Sequence, residues 1–104
     1  MPLAMIVTTV ESPDQAEDLG RDLVEQRLAA CVQVTGPIRS FYRWKGQVCD
    51  SAEWRLAIKT TVAAVPRVVA HLQERHPYEV PEILIETLEV GAPAYLQWAS
   101  EQVD

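Results

Sequence analysis

Apolar positions repeat with two different periods along this chain, and the changes of period mark its elements. Residues 3–10, "LAMIVTTV", are apolar on both alternating sets, which predicts a central strand with two covered faces. "SPDQ" then opens a helix, with Ser12 as cap, Pro13 at the first helical position and Gln15 completing a capping box. Ala16, Leu19, Leu23, Val24 and Leu28 form its apolar stripe, so the helix is expected to run to about Leu28. A second strand covers "AACVQVT", breaks at Gly36-Pro37 and resumes as "IRSFYRW". "WKGQ" makes a hairpin tip in which Gly46 is free to take a positive φ.

The return strand is expected over 48–60. There Trp54, Leu56 and Ile58 alternate with Glu53, Arg55 and Lys59, one face apolar and one polar. A second helix over 62–75 presents Val65, Val68, Val69 and Leu72, with Pro66 tolerated in its first turn. Residues 82–90 read as a fourth strand, apolar on both faces. Residues 92–103 read as a short terminal helix presenting Tyr95, Leu96, Trp98 and Ala99.

The order β-α-β-β-α-β predicts an α+β fold. Its form is a four-stranded antiparallel sheet of ferredoxin-like topology, with both long helices on one face and a C-terminal helix beyond. The terminal helix is too short to cover the second face of four strands. Bare apolar sheet favours association at roughly 25 cal/mol per Å². A homo-oligomer meeting through the open face and the long hairpin follows.

At 104 residues, 48% apolar and 23% charged, the chain is expected to form one domain over 1–104. No apolar run approaches the ~20 residues that span a bilayer. The first ten residues lack a basic flank and a cleavage site, so they read as strand and not as a signal peptide. A net charge of −6 without a basic stripe argues against nucleic acid. Two cysteines are too few for a disulfide framework, and a cytoplasmic protein with reduced thiols is the simplest class.

Candidate chemistry centres on "ERHPYEVPEI". His76 before Pro77 suits a helix end, and Pro81 suits an extended approach to the last strand. The same ring could instead ligate a transition metal, with Glu79 and Glu82 as oxygen ligands or as orienting partners. Cys31 reads either as a small buried hydrophobe or as a thiolate for a soft or borderline ion such as copper. Cys49 is expected to be exposed and incidental, and His71 a solvated surface residue. Phe41, Tyr42, Trp44 and Trp54 make the hairpin rich in interface anchors. Glu53, Arg55 and Lys59 either meet water or line a cleft between subunits. No HExxH, GxSxG or phosphate-cradling glycine loop occurs, so no catalytic residue and no enzymatic activity are predicted.

In this order and spacing, several segments resemble the CutA family of divalent-cation tolerance proteins. They are "LAACVQV", Ser40 and Tyr42 leading to Trp44 and Gly46, Glu53 before "LAIKTT", "HPYEVPEI", and "YLQW". The resemblance covers nearly the whole length. It implies a ferredoxin-like subunit, a cytoplasmic homotrimer akin in architecture to the PII signalling proteins, and a role in tolerance of copper and other divalent cations. It implies metal binding at His76 and Cys31, and it places Glu79 near subunit contacts. It places Tyr42, Trp44, Glu53, Lys59 and Tyr78 near inter-subunit clefts. Where the family often has Val-Asn after the cysteine, this chain has Val32-Gln33. The competing reading is a signalling or adaptor trimer that takes a small anionic ligand in those clefts. Lys59 and Arg55 would supply the charge and Tyr42 and Trp44 the walls. A third is a structural trimer whose surface recruits another protein. No membrane partner is implied by any of the three.

Overall fold

The structure, a computed structural model, describes residues 2–89 and 91–104. Its elements are β1 (Leu3–Val10), α1 (Pro13–Glu25), β2 (Cys31–Trp44), β3 (Gln47–Thr61), α2 (Val65–Arg75), β4 (Leu84–Leu88) and α3 (Pro93–Gln102). The sheet is four-stranded, antiparallel in every pairing, and ordered β2-β3-β1-β4. This is the predicted ferredoxin-like arrangement.

Residues directly opposite across a ladder share a face, so the register sorts the core. On one face Ile6, Val10, Leu56 and Ile58 pack with Ala16, Leu19 and Leu23 of α1 and with Val68 and Leu72 of α2. On the other, Leu3 packs with Ala30 and with Ala99 of α3, and Leu88, Leu96 and Val103 lean on them. The terminal helix therefore covers the start of β1 and the neighbouring ends of β3 and β4. Along β3 the same face carries Lys59 beside α3 and, farther on, Arg55 and Glu53.

Several boundaries differ from expectation for identifiable reasons. Ser12 Oγ accepts from the Gln15 amide at 3.1 Å, but Gln15 Oε1 is buried without a partner. The cap forms and the reciprocal half of the box does not. α1 stops at Glu25, short of Leu28, because Arg27 turns left-handed with φ 58°. The amides of Leu28 and Ala29 then both close on the Leu23 carbonyl, a C-cap made without glycine. Val24, one residue before that end, is exposed instead of buried. The second strand is not broken at Gly36-Pro37. It runs on through a register shift between Thr35 and Ile38, with that peptide bond cis.

The predicted second helix splits into a 3₁₀ turn at Val62–Ala64, capped by Thr61 Oγ1, and α2 proper with Pro66 in its first turn. β4 is shorter than 82–90, and the end of that prediction, Val90, lies outside the described residues. In α3, Ala99 and Leu96 face inward as expected, while Tyr95 and Trp98 stay exposed.

A 14-residue strand spans about 46 Å, which matches the 45 Å long axis of the molecule. The β2–β3 hairpin sets that length. It carries Phe41, 71% exposed, and Val48, 72% exposed, with Tyr42 and Trp44 beside them. At the opposite sheet edge, Leu84 of β4 is 63% exposed.

Candidate functional site

His76 ends α2. Its backbone is extended (φ −70°, ψ 136°), as the following proline requires, while its amide still closes on the Leu72 carbonyl at 2.8 Å. The ring is buried against β1. Nε2 lies 3.0 Å from Thr8 Oγ1 and 2.9 Å from the Thr9 carbonyl oxygen, and Nδ1 accepts from the Tyr78 amide at 3.1 Å. A backbone amide only donates and a carbonyl only accepts, so the ring is the neutral tautomer protonated at Nε2. The Tyr78 ring meets it edge-on, 4.9 Å between centres and 61° between planes. The Tyr78 hydroxyl then donates to Glu53 Oε2 at 2.7 Å. Glu53 is only 8% exposed.

Burial holds the His76 imidazole below its ordinary value of 6.5, against opposing pulls from the Thr9 carbonyl and the Glu53 carboxylate. Burial also pushes the Tyr78 phenol far above its ordinary 10.0, helped by its hydrogen bond to Glu53 and by the charge of Glu11. The unfolded chain thus binds a proton at residue 76 more readily than the folded one. Stability is full above pH 6.5 and declines as pH falls below it, toward the folded value. Denaturant unfolding at pH 7.5 and at pH 5 is expected to show that decline, and His76→Asn is expected to flatten it.

The three predicted metal donors do not meet within the subunit. Cys31 pairs with Lys59, whereas Thr9, which His76 touches, pairs with Arg55. Four residues of strand separate those rungs by roughly 13 Å. Glu79 and Glu82 are exposed. Among the described residues no group of three His, Cys, Asp or Glu side chains is placed to hold an ion. An imidazole ligates through its unprotonated nitrogen, and that of His76 already accepts from Tyr78. Within the subunit the partners of this ring are set by β1, 67 and 68 positions away, and by the Tyr78 amide.

The predicted cleft residues are divided as well. Glu53 and Tyr78 are bonded to each other. Tyr42 bonds Ser51 at 3.3 Å on the same face, and Trp44 sits near the hairpin tip with the Lys45 ammonium 5.9 Å from its ring centre. Lys59 lies six residues along β3 from Glu53, roughly 20 Å, with its ammonium 5.9 Å from the Tyr95 ring centre.

Two minor readings change. Cys49 is half-buried, its thiol donating to the Gln47 carbonyl at 3.7 Å. His71 is no solvated residue. Its Nε2 lies 2.5 Å from Asp22 Oδ2, with Arg75 3.8 Å from the same oxygen, and the group ties α2 to α1. Thr8, Thr9 and Asp22 were missed because nothing local in their sequence signals a partner that far along the chain.

The sequence matches the model of the CutA1 divalent ion tolerance protein family over residues 4–102. This chain belongs to the CutA1 family. It is 39% identical over 97 residues to the divalent-cation tolerance protein CutA of Thermus thermophilus, covering 93% of this chain and 94% of that one. The fold superimposes on CutA1 from Oryza sativa with a TM-score of 0.97 at 30% identity, over 100% and 95% of the two chains. On CutA from Archaeoglobus fulgidus, described as periplasmic, the TM-score is 0.94 at 31% identity, over 98% and 99%. The names of the Thermus thermophilus and Archaeoglobus fulgidus proteins speak of divalent-cation tolerance. No helix among the described residues is long and apolar enough to cross a membrane.

Proposed function

We propose that this CutA1 chain acts in divalent-cation tolerance as a PII-like homotrimer. In that role residues 1–104 work as one domain, in the cytoplasm, without an enzymatic step and without a nucleic-acid or membrane partner. One observation carries the assembly: large apolar side chains stand exposed on the hairpin (Phe41, Tyr42, Trp44, Val48) and on the opposite edge (Leu84, Ile85). Such patches mark interfaces. Membership of the CutA1 family supports cations as the cargo. Two free thiols suit a reducing compartment.

Copper is the preferred ion, because it heads the affinity order and suits thiolate. With His76 committed elsewhere, Cys31 is the donor that remains. It is half-buried on the open face, and its thiol has no hydrogen-bond partner among the described residues. Calorimetric titration with copper tests this on wild type, Cys31→Ser and His76→Asn. The His76→Asn isotherm is expected to overlay wild type, and Cys31→Ser to bind at least about tenfold more weakly. A flat isotherm for His76→Asn alone would return the histidine to the metal.

A second reading has its own observation. Arg55 and Lys59 share the open face, and no carboxylate lies within 4.0 Å of either among the described residues. They would serve an anionic ligand between subunits. Stabilisation by carboxylates or nucleotides in a thermal-shift screen, and not by copper, favours that reading.

A further inference from the structure

We propose that His76 is a positioning residue: a clasp that ties the α2–β4 connection to the end of β1 and sets the Tyr78 hydroxyl on Glu53. The inference stands apart from cation binding and needs no metal.

β4 pairs with β1 only from Leu3 to Val7. The last residues of β1, Thr8 to Val10, run on past the end of that ladder. There the Nε2 proton is shared between Thr8 Oγ1 and the Thr9 carbonyl, so the imidazole grips β1 where β4 no longer does. The opposite nitrogen takes the Tyr78 amide, two residues along. One flat ring thus joins strand to loop through both of its nitrogens, with donor and acceptor in fixed opposition. Among side chains only neutral imidazole presents a donor and an acceptor on opposite edges of one rigid plane.

The next links follow from the first. With its amide held and its ring packed edge-on against the imidazole, Tyr78 aims its hydroxyl at β3. It is the one hydrogen-bond donor to Glu53 among the described residues. Glu53 is more than nine-tenths buried, and a buried carboxylate stripped of its donor is costly. Glu53 lies on the open sheet face between Ser51 and Arg55. That is the surface a second subunit is proposed to cover, so the clasp fixes the shape of that surface before assembly.

The test uses the whole protein. Imidazole ¹⁵N spectra at pH 7.5 are expected to show His76 as the Nε2-protonated tautomer, unmoved by one equivalent of zinc. Exchange of the Tyr78 amide is expected to quicken about tenfold in His76→Ala, the worth of one hydrogen bond. It should return toward wild type in His76→Asn, whose Oδ1 can accept from the amide two residues on. Stability losses of His76→Ala and Tyr78→Phe are expected to fall short of adding, because the second acts through the first. An Nδ1-protonated ring, a zinc-shifted ring, or strictly additive losses would each overturn the proposal. If His76→Ala fails to fold, the wild-type spectrum and His76→Asn still decide it.

Discussion

Gly36→Ala is expected to destabilise the protein by about 3 kcal/mol or more, the upper end for forcing extra carbon into packed space. A Cβ at this position would stand 2.3 Å from Cδ1 of Trp54, 2.7 Å from Cγ and 2.8 Å from Nε1. Those are ring atoms of a side chain packed against the main core, not the loose end of a flexible one. The ring cannot retreat without opening the packing around Leu56 and Ile58, and the backbone is pinned by the register shift between Thr35 and Ile38. Gly46→Ala is the control. Its Cβ meets nothing within 4 Å, but its φ of +79° is left-handed, so the cost there is about 1 kcal/mol of backbone strain. Urea midpoints of the two variants should differ clearly, and equal midpoints would mean that Trp54 does not bear on Gly36.

Leu84→Lys is expected to leave the subunit folded and to dissociate the assembly. Leu84 is 63% exposed in the subunit, so little native packing is lost when it changes. It shares the open face with Val7, at the outer edge of the sheet. If that edge is covered by another copy, each Leu84 contributes about 1.5–3 kcal/mol of burial, and a lysine there adds an unpaired charge. Repeated at every interface of a ring, the change weakens association by well over a hundredfold at about 1.4 kcal/mol per decade. Far-ultraviolet circular dichroism should be unchanged while the sedimentation coefficient falls. A variant that sediments like wild type would remove the β4 edge from the interface.

Much of the fold was legible because periodicity reports burial. β1 was apolar on both alternating sets, and both of its faces are in fact packed, Ile6 under the helices and Leu3 under α3. Trp54, Leu56 and Ile58 pointed inward as their alternation required. Boundaries were less legible where the deciding residue has no characteristic type. Arg27 ends α1 in a conformation usually given to glycine, and nothing in "EQRLAA" announces it. Gln15 looked like half of a capping box, yet its side chain points into the crevice between α1 and α2 and leaves the cap one-sided.

The site was legible only in part, for a related reason. "HPYEVPEI" marked a rigid turn, and Pro77 does set the extended backbone at His76. What the ring does there depends on Thr8 and Thr9, and what Tyr78 does depends on Glu53, 25 residues away. Sequence proximity suggested His76 with Glu79. Tertiary packing instead joined His76 to Tyr78 and Glu53, and His71 to Asp22. Of the hairpin aromatics, Phe41, Tyr42 and Trp44 stand exposed, whereas Trp54, read with them as an interface anchor, packs against the main core. The exposure of the other three is what the subunit leaves unexplained when taken alone.

Static light scattering on the purified protein at micromolar concentration bears most directly on that exposure. A single chain weighs 11.7 kDa. A particle of about three times that mass, held on dilution, is expected, because an edge strand and a hairpin with this much bare apolar surface gain more from each other than from water. A folded, stable species at the mass of one chain would contradict it.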